Sequence, residues 1–379
     1  MDLRTALITA QSNNLELRAA RQQRAIAVAG ITTAGLLPNP TFSFVAAKDT
    51  PHEGITVDIP LELGGKRGKR LAVAKEEQNS IEVDVSVLER QIRRRTRQAF
   101  YQAVAAQAET SQAKSALELS TRTRDMVQAR YEAGDVAQLD VIQAEVEVAK
   151  ASADFETAAQ AQKSAEVLLA GLLSRSISAP LSISGKLDEL PPPPTLDGVT
   201  AQAMQSNADL QKSTQDLKTE EKRLTLAKSQ RIPNIDLQPG LDFNSPPEFH
   251  EGGRGGISVA IPLFNRGQGD IALSNARLNL LRLTIESQRL NASAQVAAAY
   301  FDFAAKLHQA EQYRKSILPQ NEKLLSMAED SYQSGKTNLL ILIDAQRRLN
   351  DVRKTYLDSL FVAQSSFAAL EEVVGAPLD

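Results

Sequence analysis

The sequence repeats itself at an interval of about 200 residues, and this repeat limits the possible folds more than any other feature. Three segments of the first half return in the second half: 55–61 at 257–263, 99–101 at 299–301, and 131–134 at 332–335. The intervals are 202, 200 and 201 residues, so the segments keep their order and almost keep their spacing. A chain of 379 residues has room for two or three unrelated domains. The repeat instead predicts one structure made of two similar halves.

Each half is predicted to contain a helix, two short strands, a long helix and a shorter helix, in that order. The domains are a first repeat at 1–180 with strands at about 41–47 and 55–61, a Pro-rich linker at 181–195, and a second repeat at 196–379 with strands at about 235–243 and 257–263. The long helices are predicted at about 66–130 and 268–331, and helices of this length are typical of coiled coils or helical tubes.

The predicted strands alternate between apolar and polar residues, so each strand has one apolar and one polar face. In an outer-membrane barrel the apolar face contacts lipid and the polar face lines the bore. We therefore expect these residues to face lipid: Ile55, Val57, Ile59, Ile257, Val259 and Ile261. We expect Asp58, Asp236 and Asp242 to face the bore, where carboxylates would attract cations.

Four strands cannot form a membrane barrel alone. The smallest such barrels have about eight strands, and an open sheet leaves unpaired edges in lipid. Three copies of the chain would supply twelve strands, so the strand count predicts an oligomer.

Composition excludes several classes of protein. The formal net charge is −3, so no basic field indicates nucleic-acid binding. The chain has no cysteine, which excludes disulfides, thiolate metal sites and a lipid-anchored N-terminal cysteine in the sequence as given. No apolar run approaches the roughly 18 residues of a transmembrane helix. No signal peptide is visible, so we expect that a secreted form would need a segment upstream of residue 1.

The motifs resemble those of the TolC family of outer-membrane efflux proteins over almost the whole chain. Each Tyr-x-x-Gly is followed by a short segment, Leu-Asp-Val-Ile at 139–142 and Leu-Ile-Leu-Ile at 340–343, similar to that family's periplasmic tips. Three more segments resemble the cobalt–zinc–cadmium efflux branch: Leu-Pro-Asn-Pro at 37–40, Pro-Leu-Glu-Leu-Gly-Gly-Lys-Arg-Gly-Lys-Arg at 60–70, and Ile-Pro-Leu-Phe-Asn-Arg-Gly at 261–267.

The resemblance implies a mainly α-helical fold with a small β part, in which long antiparallel helical hairpins form an α-barrel. It implies a homotrimer whose strands form a 12-stranded β-barrel in the outer membrane of a Gram-negative bacterium, with the helical tube extending into the periplasm. It also implies two partners, a periplasmic adaptor protein and an inner-membrane proton-driven pump. The function implied is passive export of heavy-metal cations or drugs, without catalysis and without a cofactor.

The resemblance also assigns roles at the two helix breaks, which we call the tips. The expected adaptor contacts are Tyr131, Gly134, Tyr332 and Gly335, and the gate candidates are Asp140, Tyr332, Lys336 and Asp344. In the family, a Tyr and an Arg on the second tip hold a carboxylate on the first. The arginine position is Thr337 in this chain and one carboxylate position is Ile341, so we expect Lys336 to replace the arginine by pairing with Asp140.

A basic, glycine-rich turn precedes the first long helix, and we compared it with a phosphate-binding loop. Walker A requires four residues between Gly and Gly-Lys, followed by Ser or Thr. Here three residues separate Gly64 from Gly68, and Arg70 follows Lys69, so the glycines are interpreted as a structural turn. Cations at a helix N-terminus oppose the helix dipole and require an anionic partner. We expect phospholipid head groups of the inner leaflet to contact Lys66, Arg67, Lys69 and Arg70.

Two histidines and a run of arginines are further candidates for functional side chains. His-Glu-Gly occurs at 52–54 and at 250–252, in predicted hairpin loops, where His52 and His250 are weak candidates for a metal site and more typical of polar loops. The basic run at 93–97 is interpreted as a solvated face or as pairs to neighbouring acids such as Glu89. No catalytic constellation is present in the sequence.

Two other classes of protein remain open from sequence. A soluble antiparallel coiled-coil scaffold would explain the long helices but has no use for four strands with opposite faces. A periplasmic adaptor should carry a lipoyl-like β domain beside one helical hairpin, whereas this chain has two predicted hairpins and no such domain.

Overall fold

The computed structural model describes residues 1–176, 181–245 and 249–378. The chain divides into two compact units, each assembled from both halves of the sequence. Unit 1 contains Met1–Arg18, Val87–Asn207 and Asn291–Asp379, and unit 2 contains Ala19–Ser86 and Ala208–Leu290. In the described part of the chain, no helix is both long and apolar enough to cross a bilayer.

The elements of the first half are α1 (Leu3–Asn13), α2 (Leu15–Gly35), β1 (Thr41–Ala46), β2 (Glu53–Leu61), α3 (Lys66–Glu132) and α4 (Gln138–Leu172). The elements of the second half are α5 (Leu196–Ser206), α6 (Ala208–Ser229), β3 (Ile235–Ser245), β4 (Phe249–Val259), α7 (Gln268–Gln312), a π-helical turn (Tyr313–Ile317), α8 (Leu318–Gln333) and α9 (Leu339–Val374). The two halves therefore use the same elements in the same order.

The first helix of each half is broken by an asparagine, which corrects the continuous helix expected from sequence. The Asn14 side chain accepts a hydrogen bond from the Leu17 N–H at 3.1 Å, so it caps α2, and it donates to the Leu172 carbonyl at 3.0 Å. In the second half, the Asn207 side chain donates to the Val373 carbonyl at 2.9 Å. Each break is thus tied to the end of the last helix in its own half.

The second long helix contains one residue that the first lacks. Between the segments at 299–301 and 332–335, the repeat interval grows from 200 to 201 residues. The π-helical turn lies in this stretch, where the Leu318 N–H bonds to the Tyr313 carbonyl, five residues back. A π-turn absorbs one extra residue in a helix. Pro319 follows at once, and it has no N–H with which to continue α-helical bonding to Lys315.

Unit 2 contains one antiparallel sheet in the described part of the chain, in the order β1-β2-β3-β4. The first three strands were placed correctly to within two residues, but the expected fourth strand at 257–263 was wrong. The ladder to β3 ends at Val259, opposite Ile235, and Pro262 has no N–H to extend it. The strand instead extends backwards through its glycines to Phe249. The second His-Glu-Gly therefore lies within β4 and not in a hairpin loop.

Unit 1 contains a buried ion pair that joins two distant helices. The Arg97 guanidinium of α3 contacts the Glu371 carboxylate of α9 at 2.7 Å, and both side chains are less than one-tenth exposed. Arg97 also lies over the Phe367 ring, 4.7 Å from its centroid. The interpretation of the basic run as a solvated face or local pairs is wrong for Arg97. Its partner is separated by 274 residues, which no local pattern reveals.

Candidate functional site

The two faces of the sheet differ in polarity, as the strand alternation predicted. Side chains of one parity are apolar: Phe42, Phe44, Ile55, Val57, Ile59, Leu241, Ile257 and Val259. Ile55 and Val57 are half-buried, and the other six are exposed. An exposed apolar face of this size requires a partner or a lipid environment. Ile261 lies beyond the end of β4, so the alternation does not set its direction, and its contact with lipid stays a prediction.

The opposite face carries the three acids singled out from sequence. Strand register places Asp58, Asp236 and Asp242 on the same face as Thr56 and Ser258. The same parity brings a cation, Arg254, to this face, and sequence reasoning missed it. Arg254 lies in a Gly-Gly-Arg-Gly-Gly segment, whose composition is typical of a loop, so the sequence pattern alone assigns it to no face of a sheet.

The basic turn binds groups within its own chain. Arg67 donates to the Gly35 carbonyl at 2.6 Å, and Arg70 donates to the Leu36 carbonyl at 3.1 Å. These carbonyls form the C-terminal end of α2, the negative end of its dipole. The dipole of α2 therefore supplies part of the anionic partner that cations at the start of α3 require.

Side chains and a nearby loop complete the coordination of the turn. Lys66 donates to the Asn234 side chain at 2.6 Å, and Lys69 donates to the Gly64 carbonyl at 2.8 Å. The Glu62 carboxylate contacts Arg70, and this hydrogen bond holds the pKa of Glu62 below its ordinary value. Arg67 remains exposed at the surface. Contact with lipid head groups stays a prediction for these residues.

The Tyr-x-x-Gly spacing has a backbone cause. At the first tip, the Gly134 N–H bonds to the Tyr131 carbonyl at 2.9 Å and the Asp135 N–H bonds to the Arg130 carbonyl at 2.9 Å. These two bonds form a Schellman motif, which requires a left-handed residue, and Gly134 has φ +84°. The second tip has the same motif, because Gly335 has φ +70° and its N–H bonds to the Tyr332 carbonyl at 3.1 Å.

The two tip tyrosines have different surroundings despite their equivalent positions. Tyr131 is 40% exposed, whereas Tyr332 is 2% exposed within an apolar cluster that includes Val127 and Leu342. The Tyr332 hydroxyl has no hydrogen-bond partner among the described residues. Burial raises the pKa of this hydroxyl, and the nearby Arg130 opposes the increase. The sequence could not separate the two tyrosines, because both follow the same motif.

The gate candidates are not bonded to each other within the described chain. Neither Tyr332 nor Lys336 makes a hydrogen bond or ion pair with Asp140 there. Asp140 lies in the first turn of α4, where a carboxylate is favoured by the helix dipole. Asp344 pairs with Arg348, one turn later in α9, at 2.7 Å. Arg348 therefore offsets the charge of Asp344 within the chain.

A groove with charged walls lies between α3, α4 and α9 in unit 1. Its volume is about 360 Å³, and Glu147 of α4 and Arg347 of α9 form an ion pair at one wall. Burial, reinforced by Asp358, raises the pKa of Glu109 on the α3 wall. Among residues 1–176, 181–245 and 249–378, no group of three or more His, Cys, Asp or Glu side chains has an arrangement that holds a metal ion. The groove therefore has mixed charge without a metal site.

The family model for outer membrane efflux proteins matches residues 6–175 and 199–376. The chain belongs to this family. Members of the family are passive channels in the outer membrane that extend into the periplasm, and the chain is a channel protein and not an enzyme. The TolC-like identification made from the tips and strands is confirmed, and so is the location.

Individual relatives support the same assignment. The cobalt-zinc-cadmium resistance protein CzcC of Cupriavidus metallidurans is 23% identical, over 99% of this chain and 90% of that protein. A crystal structure of a membrane protein from Pseudomonas aeruginosa matches with a TM-score of 0.81 and 18% identity, over 98% of this chain and 92% of that one. CusC matches with a TM-score of 0.80 and 18% identity, over 99% and 92%. The predicted fold class is thereby confirmed: mainly α-helical, with a small β part and a TolC-like architecture.

Proposed function

We propose that this outer-membrane channel is the exit duct of a tripartite pump that exports heavy-metal cations. CzcC, which matches over 99% of this chain, is named for resistance to cobalt, zinc and cadmium. The single observation that supports the proposal most is the sheet face that carries Asp58, Asp236 and Asp242. Carboxylates along a bore raise the local concentration of cations without binding them tightly, which suits a duct.

The proposal includes assembly of three chains. The sheet of one chain has two edge strands, β1 and β4, and unpaired edges are not tolerated in lipid. In unit 2, helix α7 exposes a row of leucines at seven- and three-residue spacing: Leu273, Leu280, Leu283 and Leu290. This spacing is typical of a helix that packs against another helix. In a closed ring of three chains, the two neighbouring copies would cover the two edges and the leucine row.

Two partners complete the pump. We assign the adaptor contact to the two tips. About half or more of each of four apolar side chains is exposed there: Leu139 and Ile142 on α4, and Leu340 and Ile341 on α9. These apolar side chains are suited to contact the helical end of an adaptor protein. The energy would come from a proton-driven pump in the inner membrane, since a passive channel supplies none.

The substrate class is tested by deleting the gene and measuring growth in graded cobalt, zinc, cadmium and hydrophobic antibiotics. We expect sensitivity to the metals, and restoration by the wild-type gene but only partly by Asp58→Asn/Asp236→Asn. The matched control is Asp197→Asn, which changes an acid on α5 of unit 1, whereas the sheet belongs to unit 2. Sensitivity to antibiotics alone would contradict a metal substrate and favour a drug duct.

The assembly is tested by the mass of the protein in detergent. We expect about three times the 41.1 kDa mass of the chain. A monodisperse monomer that retains its β-sheet signal would contradict the proposal, since its strand edges would be open.

A further inference from the structure

The polar face of the sheet carries an ion pair near its loop end. Arg254 of β4 lies beside Asp242 of β3, with Nη1 3.4 Å from Oδ1. The other terminal nitrogen of Arg254 donates to the Thr56 hydroxyl at 2.8 Å, across two strands. The Asp242 side chain is 14% exposed and that of Arg254 is 51% exposed. The cation is therefore the member of the pair that faces the space above the sheet.

Glycines in the sheet provide the room for this pair. A Cβ atom at Gly54 would lie 2.9 Å from the Asp242 Oδ1. A Cβ atom at Gly240 would lie 3.4 Å from both the Arg254 Nε and the Thr56 Oγ1, and 2.9 Å from the backbone oxygen of Ile55. Strand interiors disfavour glycine unless another group approaches closely. Both glycines therefore leave free the space that the side chains of Asp242 and Arg254 occupy over the sheet.

The charges on this face are arranged in two zones. Asp236 is paired in register with Ser258 and Pro60, near the point where β2 leads into α3. Asp58 lies two residues before Pro60 in β2, towards the hairpin loop, and neither acid forms an ion pair among the described residues. Arg254 and Asp242 lie towards the hairpin loops, where their charges cancel. One chain thus contributes two uncompensated acids to one zone and no net charge to the other.

We propose that Arg254 is a charge-selectivity residue of the duct: it neutralises Asp242 and confines the cation-attracting potential to the zone of Asp58 and Asp236. This inference rests on the proposed function, in which the polar face lines the bore. Cations concentrated over Asp58 and Asp236 then pass the zone of Asp242 and Arg254, which has no net charge, before they leave the duct. Without Arg254, three copies of Asp242 would extend the negative potential to the mouth and hold cations at the exit.

The absence of cysteine in the chain makes a direct test possible. A single cysteine replaces Ser43. This residue is in register with Thr56, Thr56 with Gly240 and Gly240 with Arg254, so position 43 lies in the same cross-strand row as Arg254. A second reporter replaces Ser258, opposite Asp236. Each purified trimer is reacted at low salt with a positively and a negatively charged methanethiosulfonate of similar size. The ratio of the two rates reports the local potential, because opposite charges respond in opposite directions.

We expect Arg254→Gln to raise the positive-to-negative rate ratio at position 43 by roughly threefold, whereas Arg254→Lys should leave it nearly unchanged. Asp242→Asn should lower the same ratio, and the double variant Asp242→Asn/Arg254→Gln should return it towards the starting value. The Asp242→Asn arm keeps the test decisive if Arg254→Gln fails to assemble. Asp236→Asn should lower the ratio at position 258.

Two outcomes would overturn different claims. If position 43 reacts readily but its rate ratio is the same in Arg254→Gln and Asp242→Asn as in the parent protein, the role of Arg254 is wrong and the duct remains. If neither position 43 nor position 258 reacts with either reagent in the intact trimer, the polar face is not in contact with water. In that case the proposed bore itself is wrong.

Discussion

Arg130 and Tyr332 join the two tips: the guanidinium carbon lies 5.0 Å from the centre of the tyrosine ring, and Nη1 donates to the Tyr332 carbonyl at 3.1 Å. Arg130 comes from the end of α3 and Tyr332 from the end of α8, so the contact joins the equivalent helix ends of the two repeats, one position out of register. The second half has Ser331 at the position of Arg130 in the first half, so only the first tip supplies this cation.

We predict that Arg130→Gln loosens the tip and raises single-channel conductance in planar bilayers. The change removes a stacked cation and a hydrogen bond from a charged donor, together about 1–3 kcal/mol. Arg124→Gln is the matched control, since Arg124 lies on the same helix and pairs with its neighbour Asp125.

Asp140→Ala/Tyr332→Phe tests the gate expected from sequence. If the conductance rises in Asp140→Ala/Tyr332→Phe but is unchanged in Arg130→Gln, the contact that holds the tip closed involves Asp140 and not Arg130.

The tip glycines make a second prediction. Gly134→Val and Gly335→Val should abolish export while the trimer remains intact, because a β-branched residue at φ +84° or +70° is strained by more than about 1–2 kcal/mol. The turn, and with it the adaptor surface, would change shape. Gly171→Val is the control, since Gly171 is helical and a side chain there meets open space. Resistance that survives in the double tip variant would exclude the tips as the docking site.

Acid should weaken the basic turn through Glu62. Its pKa is lowered in the folded protein by the bond from Arg70, so the stabilisation is present above the ordinary carboxyl pKa and is lost as pH falls through the lowered value. Glu62→Gln should lose about 1–3 kcal/mol at neutral pH and show a flatter pH dependence below pH 5. Thermal unfolding of the trimer from pH 7 to pH 3 measures both effects. Identical pH profiles for the two proteins would show that this carboxylate is not a source of acid sensitivity.

Because of the π-turn, we predict that the second long helix tolerates the loss of one residue once Pro319 is also replaced. Deleting Ser316 restores the repeat interval but places Pro319 in a regular helix, which should cost about 3 kcal/mol. Deletion of Ser316 combined with Pro319→Ala should recover most of that stability, as measured by chemical unfolding. Ser115 occupies the matching position in the uninterrupted α3, and its deletion should prevent assembly, because it rotates all later residues of the helix by about 100°. Equal effects of the two deletions would mean that the π-turn absorbs no extra residue.

The two faces of β2 are tested by substitution and by labelling. Val57→Arg should cost about 2–4 kcal/mol if the residue faces the middle of the bilayer, whereas Asp58→Arg should cost much less. Single cysteines at positions 57 and 58 should differ in their reaction with a membrane-impermeant thiol reagent, with only position 58 reactive. Equal labelling at both positions would contradict the alternation of faces.

Local pattern was enough for some elements and misleading for others. The strands β1, β2 and β3 were predicted because their apolar residues alternate, and the tips because Tyr-x-x-Gly requires a left-handed glycine. The strand β4 was misplaced because its glycines read as a loop, while the cross-strand contacts of Arg254 explain them. The π-turn and the break at Asn14 were also missed, since each depends on bonds that close only in the folded chain.

The sequence by itself determined the repeat, the helix and strand order, the sheet faces and the family, because each of these is written in spacing and residue type along the chain. Tertiary structure alone decided which side chains meet: Arg130 with Tyr332, Arg97 with Glu371, and Arg254 with Asp242. Apart from the last pair, which joins adjacent strands, the partners are about 200 residues or more apart in the chain. The physical reason is that periodicity records which face a residue occupies, whereas a pairing depends on how two faces are brought into register in space.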